Sequence, residues 1–412
     1  MSNLPPLGRD ASPGLRHVVA AACGAYLRIL PPAGAHALPI RLESEAGQTY
    51  SGLLPCEGLR QVCLRLEQPL HIYAGEACIE PLGAAAFWRG VGLASLLRDP
   101  IIRARDAGVT LLLQARSRNE RAELRKQLKI LSLFDLGPQL RSGAAGDGLA
   151  FGFSVRPPVR SSQRRSTLRL GVVVHLHFID VWPDIEASLR CIPSAFGLIV
   201  TLTGHDASME RAIRDAFPQA DIRIVPNAGR DVRPFLALLE DGDLDRFDIV
   251  CKVHGKKSLR NGGPTALGEL WRRHALHDLI AGTGQFDEVL ARFEADPRLG
   301  LLGPQRFRVP NERFSLHDAW SGNQTETRRL AARLGLPATF DLDFFAGTMF
   351  WVRPAALARL RGVGLGDPSA YAPESGRTDG ALEHALERLF TTSVVAGGFT
   401  LGALAPLPPA RS

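Results

Sequence analysis

The stretch FDIVCKVHGKKS, residues 247–258, predicts a buried β-strand that ends in a cluster of charges. Its apolar run continues through Val253, which is typical of a strand covered on both faces. Only five of the chain's 49 lysine and arginine residues are lysines, and three of the five, Lys252, Lys256 and Lys257, fall within six positions here. This concentration of a scarce residue favours a binding role over a solvated basic loop, which is the simpler alternative.

Strands and helices alternate on both sides of this stretch. Apolar runs predict strands at residues 168–178, 196–204 and 221–226. Helical patterns lie near residues 183–191, 207–216, 232–240, 266–281 and 284–295. This alternation predicts an α/β fold with a mainly parallel sheet flanked by helices. Ligands of such sheets bind beyond the carboxyl ends of the strands, so a site is expected there.

The composition changes along the chain and predicts six segments, with a smaller β-rich and helical region before the α/β domain. The first residues are rich in Pro, Gly and Ala, short alternating runs follow, and two stretches with helical periodicity come next. The predicted segments are an N-terminal arm with one short helix at 1–35, a small β-rich domain at 36–83, a helical region at 84–140, a linker at 141–166, the α/β domain at 167–400 and a C-terminal tail at 401–412.

The overall composition restricts the partners. The formal charge of +7 suits an anionic partner, but no basic tail or repeat of basic and aromatic residues indicates nucleic acid. The six cysteines form no C-x-x-C pair, which favours reduced thiols over a zinc site or disulfides. No apolar run reaches the ~20 residues that cross a bilayer. We therefore expect a cytoplasmic protein, whose only membrane contact would be peripheral, at the inner face of the plasma membrane.

Polar residues follow each predicted strand of the α/β domain. His175 and His177 end the first strand, and Thr203 ends the second. The third strand runs into the turn PNAGRDVRPF at 226–235, where a glycine allows close approach of the backbone and the next helix presents N–H groups to an anion. A satisfied core histidine, and Asp231 as the N-cap of that helix, are the simpler structural alternatives.

Two acidic motifs lie in the last quarter of the chain. Asp341 and Asp343 form a D-x-D pattern, but no third ligand lies nearby in sequence, so a metal site is not favoured. A helix is predicted to begin near Asp379, whose carboxylate suits the positive end of a helix dipole. Capping and ordinary surface ion pairs explain this helix start as well as catalysis does.

If the sheet binds a sugar nucleotide, the basic residues at the end of this strand would neutralise the charge of the diphosphate. Transfer of the sugar releases a diphosphate, whose charge enzymes neutralise with a carboxylate-bound metal or with Lys, Arg and His side chains. The strand that ends in the lysine cluster carries no D-x-D pattern. The lysines and His254 can therefore replace the metal.

Several uncommon motifs occur here in the order found in one protein family. They are NAGRDVRPF, FDxVxKxHxKKS, WR at 271–272, AGTMFWVRP and DGxxxHxxER. Over about residues 168–391 the chain resembles the rhamnan synthesis protein F family. The resemblance implies a bacterial glycosyltransferase of cell-surface polysaccharide synthesis that uses an activated deoxysugar such as dTDP-rhamnose. One departure is Gly255, where the family often has threonine.

The resemblance implies a role in catalysis or in donor binding for residues of these motifs. The order of the motifs is also similar to that of a GT-A-like nucleotide-sugar transferase, which is an analogy of fold. On this analogy Asp379, or else Glu374, deprotonates the acceptor hydroxyl and the sugar is transferred with inversion. The donor diphosphate would be held by Lys252, His254, Lys256, Lys257, Ser258 and Arg230. The nucleotide or sugar would be contacted by His175, His177, Thr203, Asn227, Gly229, Asp231, Gly347, Thr348, His384 and Arg388.

The resemblance also implies the partners. We expect a nucleotide-sugar donor, an oligosaccharide or lipid-linked glycan acceptor, no cofactor and no required metal. Peripheral contacts would be with the inner membrane or with other polysaccharide-synthesis enzymes. Two other interpretations fit the motifs. A non-catalytic module that binds glycan or sugar nucleotide would not need a base, and a polysaccharide phosphotransferase would use the lysines on a transferring phosphoryl group with a metal.

Overall fold

The computed structural model divides the chain into two compact units. It describes residues 18–35, 37–45, 49–56, 58–97, 99–104, 108–134, 149–150, 167–257, 259–260, 263–264, 266–281, 284–310, 319–337, 339–373 and 379–405. The N-terminal unit comprises Met1–Arg156 and Lys257–Trp271, and the C-terminal unit comprises Pro157–Lys256 and Arg272–Ser412.

Up to Ala150, the described residues of the N-terminal unit form two β-sheets and two helices. Its strands are β1 (Val18–Ala21), β2 (Tyr26–Leu30), β3 (Ala37–Ser44), β4 (Thr49–Pro55), β5 (Leu59–Leu66), β6 (Leu70–Tyr73), β7 (Cys78–Pro81), β8 (Ile101–Ala104), β9 (Val109–Ala115) and β10 (Leu149–Ala150), and its helices are α1 (Ala84–Leu97) and α2 (Arg118–Leu133). The sheets have the orders β1-β6-β3-β4 and β10-β8-β9-β5-β2-β7. Their described pairs are antiparallel except β8 with β10. The predicted β-rich N-terminal region is confirmed.

Strands replace two stretches for which the sequence predicted helix. The predicted N-terminal arm contains β1 and β2, because Gly24 at φ +79° closes a turn in which the N–H of Ala25 donates to the carbonyl of Ala22 at 3.1 Å. The predicted helical region contains β8 and β9 between its two helices. There the β-branched Ile101 and Val109 favour the sheet, in which their side chains pack against neighbouring strands.

The second half of the chain builds a seven-stranded mixed sheet in the C-terminal unit. In chain order its strands are β11 (Leu170–Leu176), β12 (Phe196–Leu202), β13 (Asp221–Ile224), β14 (Ile249–His254), β17 (Leu299–Pro304), β20 (Phe350–Val352) and β21 (Thr400–Leu404). Two separate two-stranded sheets are formed by β15 (Leu259–Arg260) with β16 (Gly263–Pro264), which belong to the N-terminal unit, and by β18 (Arg308–Val309) with β19 (Phe344–Phe345). The large sheet has the order β13-β12-β11-β14-β20-β17-β21. β11 is parallel to β12 and β14, β12 to β13, and β17 to β21. β20 runs antiparallel to β14 and β17, so the sheet is mixed where a mainly parallel one was predicted.

Helices follow the strands as the alternation predicted. They are α3 (Trp182–Leu189), α4 (Ala207–Ala216), α5 (Val232–Glu240), α6 (Ala266–Leu276), α7 (Gln285–Ala295), α8 (Gln324–Arg333) and α9 (Leu382–Ala396). Asp206 caps α4 by accepting the N–H groups of Ser208 and Met209. Phe235 of α5, Phe350 of β20 and Phe390 of α9 pack in one buried cluster, which fixes both helices against the sheet.

The predicted segment boundaries differ from the structure at two places. Residues 257–271 group with the N-terminal unit, although the α/β domain was predicted to run without a break through 167–400. The predicted tail begins inside β21, which extends to Leu404. Of the predicted linker, only β10 lies within the described residues. No helix in the described part of the chain is long and apolar enough to span a bilayer.

Candidate functional site

A buried ion pair joins the lysine cluster to the turn after β13. Lys252 on β14 is 2% exposed, and its ammonium donates to the carboxylate of Asp231. The same ammonium donates to the carbonyl of Thr348 at 2.9 Å and to its hydroxyl at 3.0 Å, and that hydroxyl donates to Asp231. Burial alone would raise the pKa of the Asp231 carboxyl, but His254 and Lys252 hold it well below its usual range.

This pair changes the role expected of Lys252. An ammonium has three protons to donate, and here all three have acceptors inside the protein. Lys252 therefore has no donor left for a diphosphate, contrary to the sequence prediction. Asp231 does occupy the N-cap position of α5, but its side chain makes no capping hydrogen bond because it faces Lys252 and Thr348.

His254 is also held by the protein. Its Nε2 lies 2.8 Å from the carbonyl of Gly347, so this nitrogen carries the proton and donates it. Burial lowers the pKa of His254 to about 4, and the imidazole is neutral at pH 7. A neutral ring whose one N–H is already used offers no donor to a phosphate. His254 fixes the turn at Gly347, rather than holding the diphosphate as predicted.

Left-handed backbone conformations concentrate around these contacts. In the described part of the chain, the non-glycine residues with positive φ are Arg230 at 52°, Thr348 at 51° and Ser321 at 50°. Gly229 precedes Arg230 at φ +65°, and a Cβ there would lie 2.5 Å from the ring of Tyr371. Each left-handed non-glycine residue costs about 1–3 kcal/mol of stability, and such strained residues cluster at functional sites in proteins.

Asp379 lies just before α9 and is oriented by two side chains. The hydroxyl of Ser321 donates to its carboxylate at 2.7 Å, and the amide of Asn323 donates at 2.6 Å. Asn323 is fully buried, and its carbonyl accepts the N–H of Gly380 at 2.7 Å. The helix was predicted to begin near Asp379, but it begins at Leu382, so Asp379 is not its cap. These two donors fix the orientation of the half-buried Asp379 carboxylate.

Arg230 connects the basic turn to the start of α9. Its Nη1 lies 3.0 Å from Nε2 of His384, and its Nε lies 3.7 Å from the carboxylate of Glu383. Burial and the guanidinium of Arg230 lower the pKa of His384 to about 4, so His384 is a neutral acceptor at pH 7. The contact brings together two motifs that lie 154 residues apart.

The Lys256 ammonium interacts electrostatically with two carboxylates, those of Glu387 and Asp231. Burial lowers the pKa of its ammonium, and the carboxylates of Glu387 and Asp231 oppose that effect. Glu387 also accepts the N–H of Gly347 at 2.6 Å. Arg272, from the WR motif, donates to the carbonyl of Lys256 at 2.9 Å and to Asp184 at 2.6 Å. These contacts fix the loop that carries Lys256.

Other predicted site residues lie in different surroundings. Nδ1 of His175 lies 2.9 Å from the hydroxyl of Thr201, and Nδ1 of His177 lies 2.8 Å from that of Thr203. His175 is 6% exposed, and burial lowers its pKa to about 3, which matches the satisfied core histidine weighed from the sequence. Asn227 is exposed in the turn.

The remaining predicted site residues are Arg388, Lys257, Ser258 and Glu374. Arg388 is buried and donates to the carbonyls of His384 at 2.9 Å and Ala319 at 3.3 Å, so its contacts stabilise α9. Lys257 begins the segment that groups with the N-terminal unit. Ser258 and Glu374 lie outside the described residues.

The D-x-D motif and the departure from the family pattern also have structural explanations. Asp343 forms a bidentate ion pair with Arg308, at 2.8 and 2.6 Å. A Cβ at Gly255 would lie 2.8 Å from a methyl group of Val181, so the threonine common in the family would not fit without a shift. Sequence reasoning missed Ser321 and Asn323, because an isolated Ser-Gly-Asn triplet carries no motif of its own.

Comparison with known proteins places the site within one family. The family described as rhamnan synthesis protein F matches residues 155–398. Two relatives from two strains of Xanthomonas campestris pv. campestris, each described as "Uncharacterized protein WxcX", are 30% identical over 229 residues. The match covers 55% of this chain and 31% of each relative, so the chain spans about a third of their length.

Two solved structures align weakly with this chain. The apo form of EndoMS aligns with a TM-score of 0.11 at 8% identity, and a repair endonuclease from Pyrococcus abyssi aligns with a TM-score of 0.11 at 9% identity. Each alignment covers 51% of this chain and 99% or more of the other. A TM-score this low does not indicate a shared fold.

Proposed function

The chain belongs to the rhamnan synthesis protein F family, which indicates a role in polysaccharide synthesis, and from this premise we propose that it is a glycosyltransferase. It moves a deoxysugar, rhamnose, from a nucleoside-diphosphate donor to a growing bacterial cell-surface polysaccharide. The observation that carries the proposal is the contact of Arg230 with His384, which joins the basic turn to the helix preceded by Asp379. A GT-A-like transferase would bind its donor at this end of the sheet.

Arg230 and Lys256 hold the donor diphosphate in this proposal. A guanidinium matches two phosphate oxygens at once, and an ammonium supplies a compact charge beside them. Burial lowers the pKa of Lys256, and an anionic ligand would favour its charged form. Lys252 and His254 do not touch the donor, but position the backbone of the turns that carry Arg230 and Thr348.

Asp379 is the general base. Its carboxylate takes the proton of an acceptor hydroxyl, and the resulting oxygen nucleophile attacks the anomeric carbon of the donor sugar. The bond from that carbon to the diphosphate oxygen breaks, and the nucleoside diphosphate leaves with the electron pair. The configuration at the anomeric carbon inverts. Ser321 and Asn323 support the proposal, since they aim the carboxylate at one position.

The positive charge needed by the leaving group comes from side chains in this proposal. Lys256 follows β14, a strand without a D-x-D motif, and Arg230 lies in the turn after β13. Asp343 of the later D-x-D motif is paired with Arg308. Turnover is therefore expected without a divalent metal.

The proposal also includes the acceptor and the place where the protein acts. The acceptor is an oligosaccharide or lipid-linked glycan, and the protein acts in the cytoplasm with peripheral contact at the inner membrane face. The formal charge of +7 supports attraction to an anionic membrane surface or to anionic donors.

Donor binding tests the proposal directly. Purified chain is titrated with dTDP-rhamnose, other nucleotide sugars and dTDP by calorimetry, and release of nucleoside diphosphate is followed with glycan acceptors. Lys256→Ala should weaken donor binding about tenfold or more, as expected for loss of one charge-assisted contact. Lys129→Ala, an exposed lysine on α2, is the matched control.

The other outcomes separate the rival interpretations. Donor binding without turnover on any acceptor would favour a binding module. Phosphate in the product with strict metal dependence would favour a phosphotransferase. Failure of every nucleotide sugar to bind would contradict the proposal.

A further inference from the structure

A cavity of about 380 Å³ lies in the N-terminal unit, outside the region that the family matches. Its lining combines charged, hydroxyl and aromatic side chains, including Arg65, Glu67, Trp88, Arg103 and Thr110. The volume falls in the range of ~300–1,000 Å³ that is typical of small-molecule sites. The proposed transfer reaction uses none of these residues.

The floor of the cavity is a row of polar side chains on adjacent strands. Arg65 of β5 pairs with Thr110 of β9, and Thr110 pairs with Arg103 of β8. Paired residues of neighbouring strands project from the same face of a sheet, so these side chains lie side by side. Glu67 accepts the hydroxyl of Thr110 at 3.5 Å and lies 3.9 Å from Arg65. The row therefore offers donors and an acceptor within one small area.

The wall of the cavity carries an exposed but oriented indole. Trp88 on α1 is 49% exposed. Its Nε1–H donates to the hydroxyl of Tyr26 at 3.3 Å, and the guanidinium of Arg65 lies 5.5 Å from its ring centre. Phe87 packs edge-on against it, with ring centres 5.5 Å apart. These three groups hold in place a ring that leaves about half of its surface in water, and a ligand that covered this apolar surface would gain free energy.

We infer that this cavity binds one pyranose unit of a glycan chain. A pyranose has a flat face of C–H groups that packs on an indole, and an edge of hydroxyls that accept from guanidinium groups and donate to a carboxylate. Trp88 supplies the first surface, and Arg65, Glu67 and Arg103 supply the second. An apolar peptide side chain would cover those three charged groups without replacing their hydrogen bonds to water, which is unfavourable.

The assignment of this sugar to the acceptor glycan rests on the proposed function. A site in the N-terminal unit would retain the growing chain by a second contact, independent of the donor. Linking a second weak contact to the first raises the overall affinity for a long acceptor.

The test measures saccharide binding to the full chain without any donor. Methyl α-rhamnopyranoside, methyl α-glucopyranoside and a rhamnose trisaccharide are the pyranose probes, and sorbitol supplies similar hydroxyls without a ring. Binding is followed by saturation-transfer difference NMR and calorimetry. Trp88→Ala removes the stacking surface, and Leu97→Ala, at the same 49% exposure on α1, is the matched control. Circular dichroism checks that both variants are folded.

We expect at least one pyranose probe to bind wild type and Leu97→Ala alike, with about tenfold or greater weakening in Trp88→Ala. Sorbitol should not bind. The inference is overturned if no pyranose probe binds wild type, if Trp88→Ala binds as tightly as wild type, or if sorbitol binds equally well. Turnover with a nucleotide sugar is scored separately. Turnover without saccharide binding defeats this inference alone, whereas saccharide binding without turnover defeats the proposed function alone.

Discussion

Lys252 and Asp231 form an ion pair inside the protein, between β14 and the start of α5, although 21 residues separate them in sequence. Thr348 completes the arrangement by contacting both side chains. These three residues come from three motifs, each of which was predicted to contact a ligand on its own. In the structure they form one buried unit. In the proposed function, the charges that meet the donor are Arg230, which directly precedes Asp231, and Lys256.

Removal of Lys252 should strongly destabilise the C-terminal unit. Lys252→Met leaves the Asp231 carboxylate buried without a cation, which costs about 3–5 kcal/mol in the free energy of unfolding. Urea denaturation followed by circular dichroism measures it. Arg169→Met is the control, because Arg169 pairs with Asp248 at an exposed position, where screening by water makes the contribution of an ion pair small. Equal effects of the two substitutions would contradict the buried pair.

Loss of the Asp379 carboxylate should abolish turnover and spare donor binding. Asp379→Asn keeps the shape of the side chain but cannot accept a proton, so kcat should fall about 10²–10⁴-fold. Donor affinity by calorimetry should stay near the wild-type value. Asp215→Asn, an exposed aspartate on α4, controls for the loss of one negative charge. Near-normal turnover of Asp379→Asn would exclude it as the base.

A side chain at Gly229 should disturb both stability and donor binding. Gly229→Ala places a Cβ 2.5 Å from the Tyr371 ring at a residue with φ +65°, so steric overlap adds to backbone strain. Gly284→Ala is the matched control, because φ is +72° and no atom lies within 4 Å of the added Cβ. We expect about 1 kcal/mol of destabilisation for the control and ~1–3 kcal/mol more for Gly229→Ala.

The same pair of variants separates strain from function. Only Gly229→Ala should weaken donor binding, since it displaces the turn that carries Arg230. Equal donor affinity in both variants would show that this turn does not contact the donor.

Stability should fall as the pH is lowered from about 6.5 toward 4. The pKa of His254 is about 4 in the folded chain, against ~6.5 in the unfolded chain, so the unfolded chain binds more protons in this interval. His175 and His384 are shifted in the same direction. His254→Gln should reduce the slope by at most about 1.4 kcal/mol per pH unit. Urea denaturation at several pH values measures this.

The control for this pH effect is His205→Gln. Its side chain is 74% exposed and pairs with Glu210 at the surface, so it matches the substitution without the burial of His254. A slope in His254→Gln identical to that of wild type would mean that His254 is not held neutral by burial.

Turnover should persist in an excess of chelator. The proposed leaving-group charge is met by Arg230 and Lys256, so kcat with EDTA should stay within about twofold of the untreated rate. Loss of activity that manganese or magnesium restores would contradict this. Asp341→Asn would then be the next variant, because Asp343 is already paired with Arg308.

Local patterns in the sequence predicted much of the C-terminal fold. α4 and α5 begin and end at the residues that the helical pattern indicated, because an apolar helix face is set by residues only a few positions apart. The same reasoning predicted helix where β1, β8 and β9 form. In those segments, pairing with strands distant in sequence outweighs local periodicity.

The sequence alone determined the order of the family motifs and of many strands and helices in the C-terminal unit, and it placed the basic groups at strand ends and Asp379 near a helix start. Only the tertiary structure decided which of those groups contact and neutralise each other. The partners of Lys252 lie 21 and 96 residues away, and Asn323 meets Asp379 across 56 residues. Such contacts depend on how the sheet and its helices pack, and a buried charge must find its partner there because the loss of water would otherwise destabilise the fold.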